Sequence, residues 1–331
     1  MRIPGAAFLL LSLCSAAQAE DLESYPFSPQ LDRVTEDRAF NGAVVGLHVV
    51  DVRTGEVVFA HGAEDGLNPA STMKVITAAA ALDLLGPSYK FVTSVSAVGP
   101  IRGDGTLDGN LYVQGTGDPT FVVEKLWKLV YDLELAGIER ISGDVVFDES
   151  HFTSDYALPG WTKARDLENG PSYFPALGAL SLNFNTVALV VAPGEGVGKP
   201  ARVQLETPAG EYIGVVSHVK TGAASSKRSV SVKREEINGT MRFTLGGSVP
   251  ASGGATRFYR TVANPTSHYA SAFADMLAER GIVVAGKFSR GDAPSAAREI
   301  LSLRSPPLAS ILMDMNKYSN NFMAEQILRA L

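Results

Sequence analysis

Ser71 and Lys74 are the pair in this chain whose types and spacing suit covalent chemistry. Positions three apart on an α-helix share a face, so this hydroxyl and this amine can meet. A serine hydroxyl is a weak nucleophile until a neighbouring base takes its proton. A lysine whose ammonium form is disfavoured by burial can be that base. A helix start adds partial positive charge, which favours a developing alkoxide. Together these features describe a serine acyl-transfer site.

The element that must carry the pair is legible around it. From Ser71 to Leu85 the chain is rich in Ala and Leu, Gly86 stands where a left-handed cap is wanted, and Pro87 forbids continuation. This predicts a helix over 71–85. Between Val75 and Leu85 only Asp83 is strongly polar, so the helix is expected to be buried on nearly every face. A Ser or Thr at a helix start also serves as a plain cap, and Ser-x-x-Lys is a short pattern. The chain contains its own control at Ser217-His218-Val219-Lys220. There Tyr212–Val219 reads as a strand, on which residues three apart face opposite sides, so that copy is expected to leave its side chains unpaired.

A second polar group lies at Lys317-Tyr318-Ser319-Asn320-Asn321, between two helical patterns, where polar side chains can project into a cleft. Helices are expected over Thr266–Arg280, which stops at Gly281, over Pro307–Met315, and from Asn321 onward. Near the start, Ala43–Ala60 reads as an antiparallel hairpin around the turn Asp51–Glu56. From Phe91 to about Arg260 short alternating runs broken by Gly, Pro, Asn and Asp predict a β-rich region, with one helix near Phe121–Ala136 and no fixed repeat.

Composition narrows the class. The 331 residues carry a net charge of −6 and no long basic run, which argues against nucleic acid as a partner. Met1–Ala19 has one positive charge, a short apolar core and a closing Ala-Gln-Ala, which reads as a signal peptide cut after Ala19. Export is therefore expected. Cys14, the only cysteine, lies in that segment, so the mature chain has no disulfide and no thiolate metal site. The five His residues show no His-Glu-x-x-His spacing, no metal or cofactor is expected, and no apolar run in the mature chain is long enough to span a bilayer.

The combination of Ser71-Thr72-Met73-Lys74 with Lys317–Asn321, together with Gly115-Thr116-Gly117-Asp118-Pro119-Thr120, Gly143–Phe152, Pro159-Gly160-Trp161 and Ala179–Asn185, resembles one family. It is similar to the penicillin-recognising serine enzymes, and within them to the D-alanyl-D-alanine carboxypeptidases/endopeptidases of the class C low-molecular-mass penicillin-binding proteins (peptidase family S13). The resemblance implies an α+β/α/β fold: a serine β-lactamase/DD-peptidase-like catalytic domain, an antiparallel sheet with helices on both faces, interrupted by a β-rich insertion. With residues 1–19 as signal peptide, it implies catalytic parts at 20–90 and 262–331 and an insertion of one or two subdomains at 91–261. It also implies a periplasmic enzyme acting on peptidoglycan stem peptides and trapped by β-lactam antibiotics.

By the same resemblance Ser71 is the acylated nucleophile, with its N–H as one oxyanion donor, and Lys74 its proton acceptor. Ser319 relays a proton to the leaving D-alanine nitrogen, and Asn321 orients the substrate amide. Asp148, with Phe152 nearby, is expected to receive the amino group of the peptide's diamino acid; read from its surroundings alone it is a strand-end Asp serving a turn. Two departures stand out. The only Lys-Thr-Gly, Lys220-Thr221-Gly222, precedes the Ser319 loop and reads as coincidence, so the third motif is expected beyond Leu331, where the chain stops inside a helix like a fragment. Tyr318-Ser319-Asn320 also fits the Tyr-x-Asn of class C β-lactamases, although Asn321-Phe322-Met323-Ala324-Glu325 favours the Ser319/Asn321 register. An inactive cell-wall-binding remnant and a β-lactamase are the competing readings.

Overall fold

Asp51 turns the chain back on itself. In the computed structural model, which describes residues 28–152, 156 and 172–331, its Oδ1 accepts the N–H groups of Arg53 at 2.8 Å and Thr54 at 3.2 Å, and Gly55 follows at φ +75°. Strands β1 (Leu47–Val50) and β2 (Val57–His61) leave this turn as the expected antiparallel pair. With α1 (Ser28–Thr35) they belong to a first compact unit that ends at Ala70; Ser71–Leu331 forms the second. The expected signal peptide at 1–19, Cys14 within it and Pro159–Trp161 lie outside the described residues.

A short 3₁₀ turn, Ala70–Thr72, runs into α2 (Met73–Leu84). Gly86 sits at φ +81° just beyond the helix, the left-handed stop that the sequence predicts. The expected burial on every face is not observed. Only Lys74, Ala78 and Ala81 are buried, a stripe at i, i+4 and i+7, while Ile76 is 63% exposed and Leu84 65% exposed. The helix packs against α5 (Leu308–Tyr318) and α6 (Asn321–Ala330), and those two partners cover one side of it. Ala78, Ala81 and Phe91 meet Leu308, Ile311, Leu312, Met315, Met323 and Ile327 in one small core.

The β-rich region contains two further cores. Five strands, in the order β16 (Phe288–Arg290), β7 (Val145–Asp148), β5 (Asn110–Gly115), β3 (Val92–Val98) and β17 (Arg298–Arg304), form a mixed sheet. Its Val95, Leu111, Val113, Val145 and Phe147 pack with Leu126, Leu129 and Leu133 of α3 (Val123–Leu135) and with Tyr269 and Phe273 of α4 (Pro265–Glu279). A patch of β15 (Val283–Val284), β6 (Arg140–Ile141) and β4 (Thr106–Leu107) lies beside them in sequence and shares Ile141 and Leu107 with that core.

The other core lies between an antiparallel sheet of β14 (Thr256–Thr261), β8 (Thr186–Ala192) and β9 (Arg202–Leu205) and a second sheet. That second sheet comprises β10 (Ile213–Ser217), β13 (Thr240–Pro250) and β11 (Lys220–Gly222), with β12 (Ser229–Ile237) on β13. Alternate residues of β8 (Val187, Leu189, Val191) and of β13 (Met241, Phe243, Leu245) fill it, as period-two burial requires.

Helix α4 packs on the sheet of β3, β5 and β7, which β16 and β17 extend, while β15 pairs with β6. Phe91 N–H donates to Ser305 Oγ at 3.0 Å and Ser305 N–H donates to Phe91 O at 2.9 Å, which ties the chain just before β3 to the chain just after β17. Apolar residues at helical spacing show that α4 is buried, but not which neighbour buries it.

Candidate functional site

Ser71 stands in the 3₁₀ turn and Lys74 in the first turn of α2, so local helical geometry alone brings them together. Lys74 Nζ donates to Ser71 Oγ at 3.1 Å. Ala70, at φ +45°, holds a left-handed conformation that non-glycine residues seldom adopt.

The other half of the site comes from the junction of α5 and α6. Ser319 ends α5 in the left-handed region, φ 52° and ψ 40°, which turns the chain sharply into α6. Asn320 caps α6, its Oδ1 accepting Met323 N–H at 3.0 Å. That leaves Ser319 and Asn321 facing α2. Ser319 Oγ donates to Ser71 Oγ at 2.9 Å, and Asn321 Oδ1 accepts Lys74 Nζ at 2.7 Å. Asn321 Nδ2 donates to Tyr173 O at 3.0 Å. Four residues from two segments 248 positions apart therefore share one hydrogen-bond cluster. The geometry supports the Ser319/Asn321 register and not Tyr318/Asn320, since Asn320 is engaged as a cap and Tyr318 is exposed.

The site's electrostatics turn on Lys74, which is 8% exposed while Ser71 remains exposed. Burial lowers the Lys74 amine below its ordinary value of 10.5, and the carboxylate of Glu325 pulls it partly back up. Glu325 is itself pushed up by burial, with Lys74 and Arg329 opposing that shift. Sequence reasoning quoted Glu325 only as a flanking residue. Its place one helical turn beyond Asn321, on the same face of α6, was the available signal.

A cleft of about 330 Å³ adjoins the cluster, lined by Ser319, Asn320 and Asn321 and by the rings of Tyr173, Phe184, Tyr259, Tyr318 and Phe322. The two remaining expected site residues stand apart from it. Asp148, 1% exposed at the end of β7, accepts Gln114 Nε2 at 2.8 Å, Ser150 N–H at 2.9 Å and Ala293 N–H at 2.9 Å, so its carboxylate is engaged by the fold. This is the turn-serving arrangement. Phe152 is buried against Gly117, where a Cβ would fall 2.4 Å from the ring, and the Arg329 guanidinium of α6 lies 6.0 Å from its centroid.

The second Ser-x-x-Lys splits between β10 and β11, and Ser217 Oγ accepts Val219 N–H at 3.3 Å. Lys220-Thr221-Gly222 forms β11 on β13, with Thr221 buried and accepting Gly194 N–H at 2.9 Å. Among the described residues no three His, Cys, Asp or Glu side chains gather as metal ligands, and no helix is long and apolar enough to cross a membrane.

Comparison with known proteins agrees with the geometry. The chain is 32% identical over 310 residues to a D-alanyl-D-alanine carboxypeptidase of an Actinomadura species, covering 91% of this chain and 56% of the relative. It is 28% identical over 289 residues to the D-alanyl-D-alanine carboxypeptidase DacB of Haemophilus influenzae, covering 87% of this chain and 59% of that protein. The crystal structure of penicillin binding protein 4 from Haemophilus influenzae superposes with a TM-score of 0.73 at 26% identity, over 86% of this chain and 61% of the other. The chain thus spans less than two thirds of the length of these relatives. Residues 27–331 match the D-Ala-D-Ala carboxypeptidase 3 (S13) family, and with the fold shared with the penicillin binding protein 4 structure the chain belongs to that family.

Proposed function

We propose that this chain carries the acylating half of a serine-type D-Ala-D-Ala carboxypeptidase/endopeptidase that acts on peptidoglycan stem peptides and is acylated by β-lactams. The observation that carries the reading is the convergence of Lys74 Nζ and Ser319 Oγ on Ser71 Oγ, with Asn321 holding the lysine.

In the reaction a neutral Lys74 amine takes the Ser71 hydroxyl proton as Oγ attacks the carbonyl carbon of the penultimate D-alanine. The negative charge that develops on the carbonyl oxygen meets the Ser71 N–H at the start of α2. Collapse breaks the peptide C–N bond, and the leaving D-alanine nitrogen receives a proton through Ser319 from the Lys74 ammonium. Water then hydrolyses the ester, regenerating the Ser71 hydroxyl and releasing the shortened peptide. With a β-lactam the same attack opens the ring, but the expelled nitrogen stays tethered and the ester persists. A desolvated lysine suits this role because burial lowers its pKa and so favours the neutral amine that accepts the proton.

Export is part of the proposal: Met1–Ala19 directs the chain out of the cytoplasm and into the periplasm, where its substrate lies. The test is labelling with a fluorescent penicillin, followed by mass spectrometry of the adduct. The parent chain is expected to form a persistent ester at Ser71, and Ser71→Ala none. Equal labelling of Ser71→Ala sinks the assignment, and rapid release of hydrolysed lactam points to a β-lactamase.

A further inference from the structure

We infer that Phe184 is a positioning residue for the acylation site: a left-handed turn presses its ring on Phe322 and so sets helix α6, with Asn321, against Lys74. The catalytic part of this inference rests on the acyl-enzyme reading above; the structural part does not.

Three successive non-glycine residues, Asn183, Phe184 and Asn185, have φ of 50°, 58° and 52°. Asparagine tolerates this region because its short amide bonds to nearby backbone, but a phenylalanine there is strained. Such strain persists only where the surroundings over-determine it. They do so here. Asn183 Oδ1 accepts Val123 N–H at 2.9 Å, and Asn183 N–H donates to Phe121 O at 3.0 Å. Asn185, fully buried, accepts Leu182 N–H at 3.2 Å and donates to Ala176 O at 2.7 Å and Ser181 Oγ at 3.0 Å. Both asparagines are anchored, and the residue held between them is the phenylalanine.

Its ring meets Phe322 edge to face, with centroids 5.9 Å apart and planes at 89°. Phe322 directly follows Asn321, whose Oδ1 holds Lys74 at 2.7 Å. One turn further along the same face of α6, the fully buried Gln326 donates to Gly178 O at 2.9 Å. Helix α6 is therefore fixed at two points, Phe322 and Gln326, by the segment that contains the strained turn. Two points on one face set both the rotation and the axial position of a helix. Those are the variables that decide whether Asn321 reaches Lys74 and Ser319 reaches Ser71.

The experiment compares Phe184→Ala, Phe184→Gly and Phe184→Tyr with Leu245→Ala, a cavity control on β13 in the core between the two further sheets. Two readouts are taken on the 331-residue chain: the fluorescent-penicillin acylation rate per folded molecule, and hydrogen exchange of the amides of residues 321–327. Phe184→Ala is expected to slow acylation about 10–100-fold, the size of effect that misplacing a reacting group by about 1 Å produces. It should also deprotect 321–327. Phe184→Tyr should retain both properties, and Leu245→Ala should lower Tm while leaving both unchanged.

Phe184→Gly separates ring from backbone, because glycine suits a left-handed turn but leaves Phe322 without its partner. It is expected to acylate as slowly as Phe184→Ala; recovery toward the parent rate overturns the inference. Parental exchange of 321–327 in Phe184→Ala also overturns it. If the parent chain forms no adduct, the acyl-enzyme reading fails, and the exchange of α6 still decides whether Phe184 sets the helix.

Discussion

Two polar clusters in the second unit of this protein each hold a buried ionisable side chain, Lys74 in one and Asp148 in the other, and put it to opposite ends. Around Ser71 the partners are side chains from α2 and the α5–α6 junction, and the shared acceptor, Ser71 Oγ, remains open to solvent. Around Asp148 and Glu149 the carboxylates are closed off. Asp148 is engaged by Gln114, Ser150 and Ala293, while Glu149 takes the hydroxyls of Tyr156 and Thr266 and the guanidinium of Arg290. A polar group that is buried and fully satisfied holds the fold together. One whose hydrogen bonds converge on an exposed hydroxyl, with a lysine pushed toward its neutral form, is set up to react. The contrast teaches that a buried charge points to chemistry only when its partners leave an atom for a substrate.

The sharpest way to break this contrast is to remove the lysine. Lys74→Ala is expected to slow penicillin acylation about 10⁴-fold or more, with Tm nearly unchanged. A variant that acylates normally, or that unfolds, would place Lys74 among the structural groups. Asp148→Ala should do the reverse. It strips the acceptor from three donors, and each buried donor left unsatisfied costs about 1–3 kcal/mol. Urea unfolding should register the loss while acylation per folded molecule stays at the parent level; a selective loss of activity on peptides bearing a diamino acid would restore Asp148 to a substrate role.

The closed region also has an acid limit. His268, on α4 near Thr266, is fully buried with neither ring nitrogen hydrogen-bonded among the described residues, and burial lowers its pKa from 6.5 to about 4. A depressed histidine favours the neutral form in the fold, so its contribution is complete above about pH 6.5 and disappears as the pH falls toward 4. The unfolding free energy is expected to drop by about 3 kcal/mol between pH 7 and pH 4 from this group alone. Denaturant unfolding at the two pH values, in the parent and in His268→Leu, checks it; an equal drop in both would assign the acid sensitivity elsewhere.

The smallest expected effect sharpens the open region. Glu325→Gln removes the charge that raises Lys74, so the amine loses its proton at lower pH. The rising limb of the acylation rate against pH should therefore move to lower pH, and a shift to higher pH would mean that Glu325 acts other than through Lys74.

Much of the architecture is legible from local pattern. The hairpin around Asp51, the stop of α2 at Gly86, the helices at 123–135 and 265–279 and the two helices flanking Ser319 depend on neighbours within a turn or two, where periodicity and caps act directly. The neighbours of those elements are less legible. Helix α4 reads as apolar at helical spacing, but the α3, β5 and β7 residues it packs with all lie more than a hundred positions earlier. Helix α2 reads as apolar all round, yet its contacts with α5 and α6 bury a single stripe.

For the site itself, residue types and a spacing of three determined that Ser71 and Lys74 meet, because the α-helix places such positions on one face whatever surrounds it. Three things were left to tertiary structure. It decided that Asn321 and not Asn320 reaches Lys74, since Asn320 is held as a helix cap, and that Asp148 is enclosed by its own fold. It also brought Glu325 and the strained Phe184 to bear on the site. Each of these depends on segments far apart in the chain, and no local periodicity encodes the packing that joins them.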